Sequence, residues 1–348
     1  MNNKPKILIT GLFLSPANQH KIYRTAADQL AEVLLLQGYS VIKTSTIVTP
    51  FLRLLDTVST ILIKAARYNI AIVPMYGSMR GKILEGAALF FLKLLRKKII
   101  LVLHGGSIPD KLKVNPAPFL KLMQRADIVV SPSTFIAQAV QPYGIDCRII
   151  ENVVKLDDYI FHKKELFRPK LFWMRTFEDV YNPLMAVHVF NLLYKKYPEA
   201  SMVMAGRDVG MLEQTKLLAK ELGVLDQIDF PGYISLEQKN DYANDYDIYI
   251  CTNTIDNAPV TIVEMMALGL PIVSTNAGGI PHLVKDGVDA LLVDINNHEQ
   301  MMNAINAIIQ SNVFGKRLVQ NARATAYKFG AYKVTEKWEQ AFNELLSS

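Results

Sequence analysis

The chain has 348 residues, half of them apolar and a fifth charged, and 38 Lys and Arg against 32 Asp and Glu leave a net charge of +6. That length suits two domains that each bury a core, and the composition is globular. Cys147 and Cys251 lie alone in apolar stretches with no CxxC or histidine spacing, which excludes a disulfide scaffold or a zinc site and suits a reducing cytosol.

The run 7–14, flanked by Lys4 and Lys6 and followed by Ser15-Pro16-Ala17, is short and interrupted by Gly11, so it is read as the start of a fold rather than a leader. A strand is predicted over 6–10, an amphipathic helix over 24–37 stopped at Gly38, and strands over 40–43, 70–73, 99–103, 128–131 and 148–150. The greasy stretch 87–103 carries Lys93, Arg96, Lys97 and Lys98, and no segment reaches the roughly 20 clean apolar residues of a spanning helix. The charged, proline-bearing segment 161–170 is read as the linker. A second series follows. It has a strand over 171–174, a helix with Asn182 as N-cap and Pro183 in first position, and a strand over 201–205. A helix over 212–222 stops at Gly223, and strands span 228–230 and 248–252. A helix then runs from Thr261 to Gly269, followed by strands over 271–274 and 290–293 and helical segments to the end. Alternation at this spacing means βαβ units, hence an α/β protein of two doubly wound, Rossmann-like sheets.

In such sheets ligands bind beyond the carboxyl ends of the strands, where amides and helix N-termini face the crevice. The richest stretch after a strand is 256–281, DNAPVTIVEMMALGLPIVSTNAGGIP. Asp256 falls in a loop, Glu264 in the first turn of the next helix, and Gly278-Gly279 after the next strand. Thr261-x-x-Glu264 also has capping-box spacing, and Asp256 could be an ordinary turn residue.

This stretch resembles the signature of GT-B fold glycosyltransferases of the retaining family-4 type, the glycosyl transferases group 1. In these, two acidic residues eight apart precede an Ala-x-Gly-x-Pro run, here Ala267-Leu268-Gly269-Leu270-Pro271, and a Gly-Gly loop. The resemblance runs from about residue 170 to 295 and implies that Glu264 holds the ribose and Asp256 the sugar. Amides of Ala258, Val260 and Thr261 would assist, since Pro259 has no N–H. It implies that Arg175 clamps the diphosphate, that the clamp's lysine place falls to Tyr181 or Asn182, and that Arg207 stands in as a second cation. It puts Gly232-Tyr233 at the base and His104 of Leu103-His104-Gly105-Gly106 near the transferred sugar. Asp256 stands where the family usually has Glu.

The expected organisation is an acceptor domain over 1–163, a nucleotide-sugar domain over 164–330 and a helix over 331–348 crossing back, with a cleft between the domains. The expected reaction is sugar transfer from a nucleotide diphosphate with retention, without a metal or other cofactor, in cell-surface polysaccharide or glycolipid synthesis. The alternatives are a nucleotide-sugar-binding protein without turnover and an epimerase of the same fold. Asp245-Tyr246-Asp247 spells DxD but reads as a helix-to-strand junction, and no GxGxxG follows a first strand. Residues 1–160 hold 20 basic against 10 acidic side chains, and the remainder 18 against 22. The basic half suggests an anionic membrane or lipid-linked glycan as partner, through 89–98, or else a solvated surface; no RNP or helix-turn-helix pattern points to nucleic acid. The expected location is cytoplasmic, peripheral at the inner face of a membrane.

Overall fold

The computed structural model describes residues 4–18, 25–77 and 79–347. Twelve strands among the described residues follow in chain order: β1 (Lys6–Leu12), β2 (Ser40–Ser45), β3 (Ile70–Met75), β4 (Lys98–Leu103), β5 (Ile128–Ser131), β6 (Cys147–Ile149), β7 (Lys170–Met174), β8 (Ser201–Ala205), β9 (Ile228–Gly232), β10 (Ile248–Cys251), β11 (Ile272–Thr275) and β12 (Leu291–Val293). They form two all-parallel six-stranded sheets, ordered β2-β1-β3-β4-β5-β6 and β12-β11-β10-β7-β8-β9. Predicted and observed strand ends differ by at most two residues, and β5 and β8 coincide. The first helix spans Ala26–Leu36, and its predicted start at Arg24 lies outside the described residues.

The chain divides into two compact units, residues 1–155 with 329–348, and residues 156–328. Segment 161–170 lies inside the second unit rather than ahead of it. Chain and unit already join through Tyr159, whose hydroxyl donates to Glu264 Oε1 at 2.7 Å, and Ile160, whose amide donates to Asn240 Oδ1 at 2.7 Å.

In the first unit β3 and β4 read IAIVPM and KIILVL and are buried almost end to end, as a parallel sheet covered on both faces requires. One face packs on the helix Ala26–Leu36 and on the chain-terminal helix Ala331–Ser347, whose Val334, Trp338, Phe342 and Leu345 share a core with Ile7, Ile9, Leu34 and Val102. Polar ties fix that helix at its edges. Lys337 Nζ reaches Glu151 at 2.6 Å and Arg148 Nη2 reaches Glu344 at 2.5 Å. In the second unit one face of the sheet builds a core around Trp173, Phe177, Phe190, Met204 and Ile250, and on the other face Phe172, Val203 and Tyr249 are fully buried as well.

Each sheet changes winding direction once. In the first, the chain starts at β1, adds β2 on one side and continues from β3 on the other. In the second it starts at β7, adds β8 and β9, then returns to add β10 to β12. The carboxyl ends of β1 and β3, and of β7 and β10, are therefore the switch points where ligands of doubly wound sheets collect.

Candidate functional site

At the switch point of the second unit, Arg175 follows β7 and Asp256 follows β10. Arg175 Nη2 donates to Asp256 Oδ2 at 2.5 Å and Nη1 to Thr261 Oγ1 at 3.2 Å. Both charged side chains are nearly buried. Desolvation by burial is the largest single influence and opposes the charge on Arg175, but Asp256 together with the nearby Tyr181, Cys251 and Tyr249 outweighs it, and the guanidinium pKa moves up. The Tyr181 ring lies 4.0 Å from the Arg175 Cζ, so the cation is covered by an aromatic face.

The packing explains why the chain holds this geometry. Trp173, fully buried in β7, donates its indole N–H to Thr252 Oγ1 at 2.9 Å, and that hydroxyl donates to the Tyr181 carbonyl at 2.8 Å. Thr254 donates its amide to the Val180 carbonyl at 2.8 Å. The loop after β10 thus clamps the backbone that presents Tyr181 over Arg175. Asn182, next along, caps the helix Pro183–Lys196 and accepts from the Met185 amide, the predicted arrangement with Pro183 in first position. The place expected for a clamp lysine is therefore divided between an aromatic cover and a helix cap.

Asp256 is held from three further sides. Asn253 Nδ2 donates to its Oδ2 at 2.8 Å, the Asn257 amide to its Oδ1 at 2.8 Å, and the Gly279 amide to its carbonyl at 2.7 Å. Gly278 has φ +56° and a Cβ there would stand 2.2 Å from the Asp256 carbonyl oxygen; a Cβ on Gly279 would stand 1.8 Å from that of Asn257. Only glycines allow the two loops to lie backbone on backbone.

Glu264 sits differently from the sequence expectation. The helix spans Val260–Leu268 with Pro259 at its N-cap and no side-chain cap, so Glu264 is in the second turn and makes no capping box. Thr261 spends its hydroxyl on Arg175 instead. Glu264 is buried and both its oxygens are engaged, Oε1 by the Tyr159 hydroxyl and Oε2 by Lys239 Nζ at 2.9 Å. Val260 and Thr261 are the first residues of this helix, whose opening bond runs from the Ile262 amide to the Pro259 carbonyl; amides at this position have no acceptor inside the helix. Ala258 lies in the preceding loop.

At the neighbouring strand ends, Gly206 and Gly232 are joined amide to carbonyl at 2.8 Å, and Arg207 Cζ stands 4.9 Å from the exposed Tyr233 ring. A Cβ on Gly206 would fall 1.7 Å from the Arg175 carbonyl oxygen, so the β7 and β8 ends touch as backbone. Asp247, the second aspartate of the DxD spelling, is buried and taken by Arg168 Nε at 2.7 Å and by Lys164 at 3.3 Å.

His104, in the first unit, follows β4 and stacks on Tyr76 with ring centroids 5.4 Å apart. Burial pushes its pKa down to about 4, so the imidazole is neutral near pH 7. Gly105 is needed by the chain itself, since a Cβ there would stand 2.2 Å from the Tyr76 carbonyl oxygen. Beneath Tyr76 lies Glu85, whose Oε1 accepts the Tyr76 amide at 2.9 Å while Oε2 is buried without a hydrogen bond. Burial pushes this carboxyl up to about 7, against its backbone bond to Tyr76 and the nearby Lys82 and Lys111.

Sequence reasoning missed Lys239 and Tyr159 as partners of Glu264, and Asn253 as a partner of Asp256. Only Asn253, three residues from Asp256, had a local signal; the other two lie 25 and 105 residues away from Glu264.

Residues 160–325 match the family model of the glycosyl transferases group 1. An uncharacterized glycosyltransferase of Haemophilus influenzae is 28% identical over 155 residues, 43% of this chain and 42% of that protein. D-inositol 3-phosphate glycosyltransferase of Mycobacterium marinum is 27% identical over 173 residues, 48% of this chain and 35% of that protein. The chain thus spans less than half the length of these curated relatives. Over nearly its whole length the chain also superposes on solved structures. Anabaena HepE in complex with UDP and glucose has a TM-score of 0.76 at 17% identity, over 98% of this chain and 100% of that one. Sucrose-phosphate synthase of Thermosynechococcus elongatus has a TM-score of 0.79 at 14% identity, over 99% and 100%. These likenesses show the GT-B fold.

Proposed function

We propose, from the match of residues 160–325 to the glycosyl transferases group 1 model and from the GT-B fold, that the protein is a glycosyltransferase that moves a sugar from a nucleotide diphosphate to an acceptor, with retention and without a metal. The observation that carries this reading is the Arg175–Asp256–Thr261 cluster at the switch point of the second sheet.

The chemistry follows from what these groups can do. A diphosphate at the helix start Val260–Thr261 meets unpaired amides and the positive end of the helix dipole. Arg175, already ionised and covered by Tyr181, gains the phosphate as a second anionic neighbour and stabilises charge on the departing nucleotide diphosphate. Asp256 shares its carboxylate with a sugar hydroxyl. Glu264, held by Lys239 and Tyr159, keeps free lone pairs for the ribose diol, since a carboxylate offers about four acceptor sites. Tyr233, with Arg207 behind it, offers the base a stacking face. The neutral imidazole of His104 suits a hydrogen bond to a sugar hydroxyl rather than to phosphate. In same-face transfer the glycosidic C–O bond to phosphate breaks, the acceptor oxygen forms the new bond, and its proton passes to the leaving phosphate.

UDP, bound in HepE, is the first nucleotide to try, beside GDP and ADP sugars. The acceptor in this reading is a sugar or lipid-linked glycan of surface polysaccharide or glycolipid synthesis, and the working location is the cytoplasmic face of a membrane. A thermal-shift screen with the three sugar nucleotides, followed by product analysis, is the test. Asp256→Asn should leave free-nucleotide affinity nearly unchanged and depress turnover, whereas Arg175→Ala should lower both. No stabilisation by any of the nucleotides overturns the donor site. One observation favours a second reading, a binding protein without turnover. The charge of Arg175 is already paired with Asp256, and Tyr181 and Asn182 occupy the expected lysine place. Tight donor binding with neither transfer nor hydrolysis would decide for it.

A further inference from the structure

The first unit carries two neighbouring helices, Pro50–Ile63 and Met79–Leu94, that pack against each other and against the sheet. Each uses one face for the fold. The first buries Thr57 and Ile61, the second Ala88, Leu89 and Leu92. Their outer faces are more apolar than a solvated surface needs. On the first helix Phe51, Leu55 and Leu62 are exposed, with half-buried Val58 completing a row at helical spacing, and Leu52 and Ile63 flank it, Ile63 at 82% exposure. On the second, Ile83, Phe90 and Leu94 stand in a row, Leu94 at 66% exposure. Scattered exposed leucines need no explanation, but two adjacent rows of them do.

The charges around these rows say what covers them. Between residues 50 and 98 the sequence holds nine Lys and Arg and only two Asp and Glu, one of which is the buried Glu85. Both helices join parallel strands and so run the same way, which puts Lys64 and Arg67 after one and Arg96, Lys97 and Lys98 after the other at the same end. Cations there also suit the helix dipoles, but the dipoles do not account for the apolar rows. A second copy docked with its helices parallel to these would set cation against cation, and an antiparallel copy would offer those cations only Asp56, since Glu85 is buried. An anionic bilayer satisfies both parts, with grease in the acyl boundary and lysine and arginine at the headgroups.

We propose that the outer face of helices Pro50–Ile63 and Met79–Leu94 is a docking surface for an anionic lipid bilayer. The surface is broader than the expected stretch 89–98 and centred on the earlier helix. It rests on the membrane-side acceptor of the proposed function only for its purpose, so lipid binding and nucleotide binding are measured apart.

The test is flotation with phosphatidylcholine vesicles, with and without phosphatidylglycerol, at low and high salt. The parent should float with the anionic vesicles at low salt and poorly with neutral ones. Phe51→Ser/Leu55→Ser/Leu62→Ser should lower the bound fraction roughly tenfold or more, because three apolar side chains leave the boundary. Lys64→Glu/Arg67→Glu should weaken binding mainly at low salt. Thermal shift with UDP on the same variants should match the parent, which separates failure of the surface from failure of the donor site. Absence of flotation at low salt, or undiminished flotation of the serine variant, overturns the inference. So does a parent dimer that Leu55→Ser dissociates, which would make the face a subunit contact.

Discussion

Glu264 is where residue chemistry carries the most weight. Its carboxylate is buried with one phenol and one ammonium against it, so its orientation is set before any ligand arrives. Glu264→Gln should weaken binding of the bare nucleotide by about 1–3 kcal/mol, read by calorimetry. Lys239→Met, which touches no nucleotide in this scheme, should weaken it about three- to tenfold, with Lys239→Arg restoring most of the loss. If the Gln variant binds normally, Glu264 does not hold the ribose; if only the Met variant does, Lys239 does not orient it. Glu85 poses a different question. Its carboxyl keeps a proton up to about pH 7 in the folded state, while the unfolded chain releases it near the ordinary value. Glu85 therefore costs stability as pH rises between those values, and costs most above pH 7. Glu85→Gln should match the parent in thermal melts near pH 4.5 and exceed it by roughly 2–3 kcal/mol at pH 8. Equal melts at both pH values would mean that the carboxyl ionises freely.

At the scale of elements, the loops decide what the sequence could tell. Asn182 and Pro183 announced their helix because a cap and a first-position proline act locally. The start of Val260–Leu268 was misplaced because Thr261 looks like a cap, whereas Pro259, with its fixed φ and missing N–H, begins the helix earlier. That shift moves Glu264 by part of a turn, enough to trade a cap bond for Lys239. The strands were readable because parallel strands are continuous apolar runs; contacts across 105 residues, such as Tyr159 to Glu264, leave no such trace. The paired glycines were legible as a motif but not as a packing device. Gly279→Ala places a methyl within 1.8 Å of the Asn257 oxygen although its φ of −85° suits any residue. The clash must push the Asp256 loop away, and we expect a loss of about 1–3 kcal/mol in stability together with lower turnover. An unchanged melt and rate would show that the loop yields freely.

For the molecule as a whole, the first unit is assembled from two distant stretches. Val154 donates its amide to the Phe329 carbonyl at 2.9 Å, so the points where the chain leaves and rejoins this unit are side by side. Trp338 and Phe342 complete a core begun by Ile7 and Leu34. During synthesis the order is then fixed by chemistry rather than by position in the message. Residues 156–328 have all their own core when they emerge, whereas the earlier residues wait with an open apolar face until helix Ala331–Ser347 appears. A chain stopped at Gly330 should give protease a resistant core of the second unit and a digested first unit, and equal resistance of both would contradict this order. Such a layout exposes the nascent first half to chaperones for the whole time its neighbour is being made, and it makes the second unit a cassette. Joining residue 155 directly to 329 bridges neighbours already in contact.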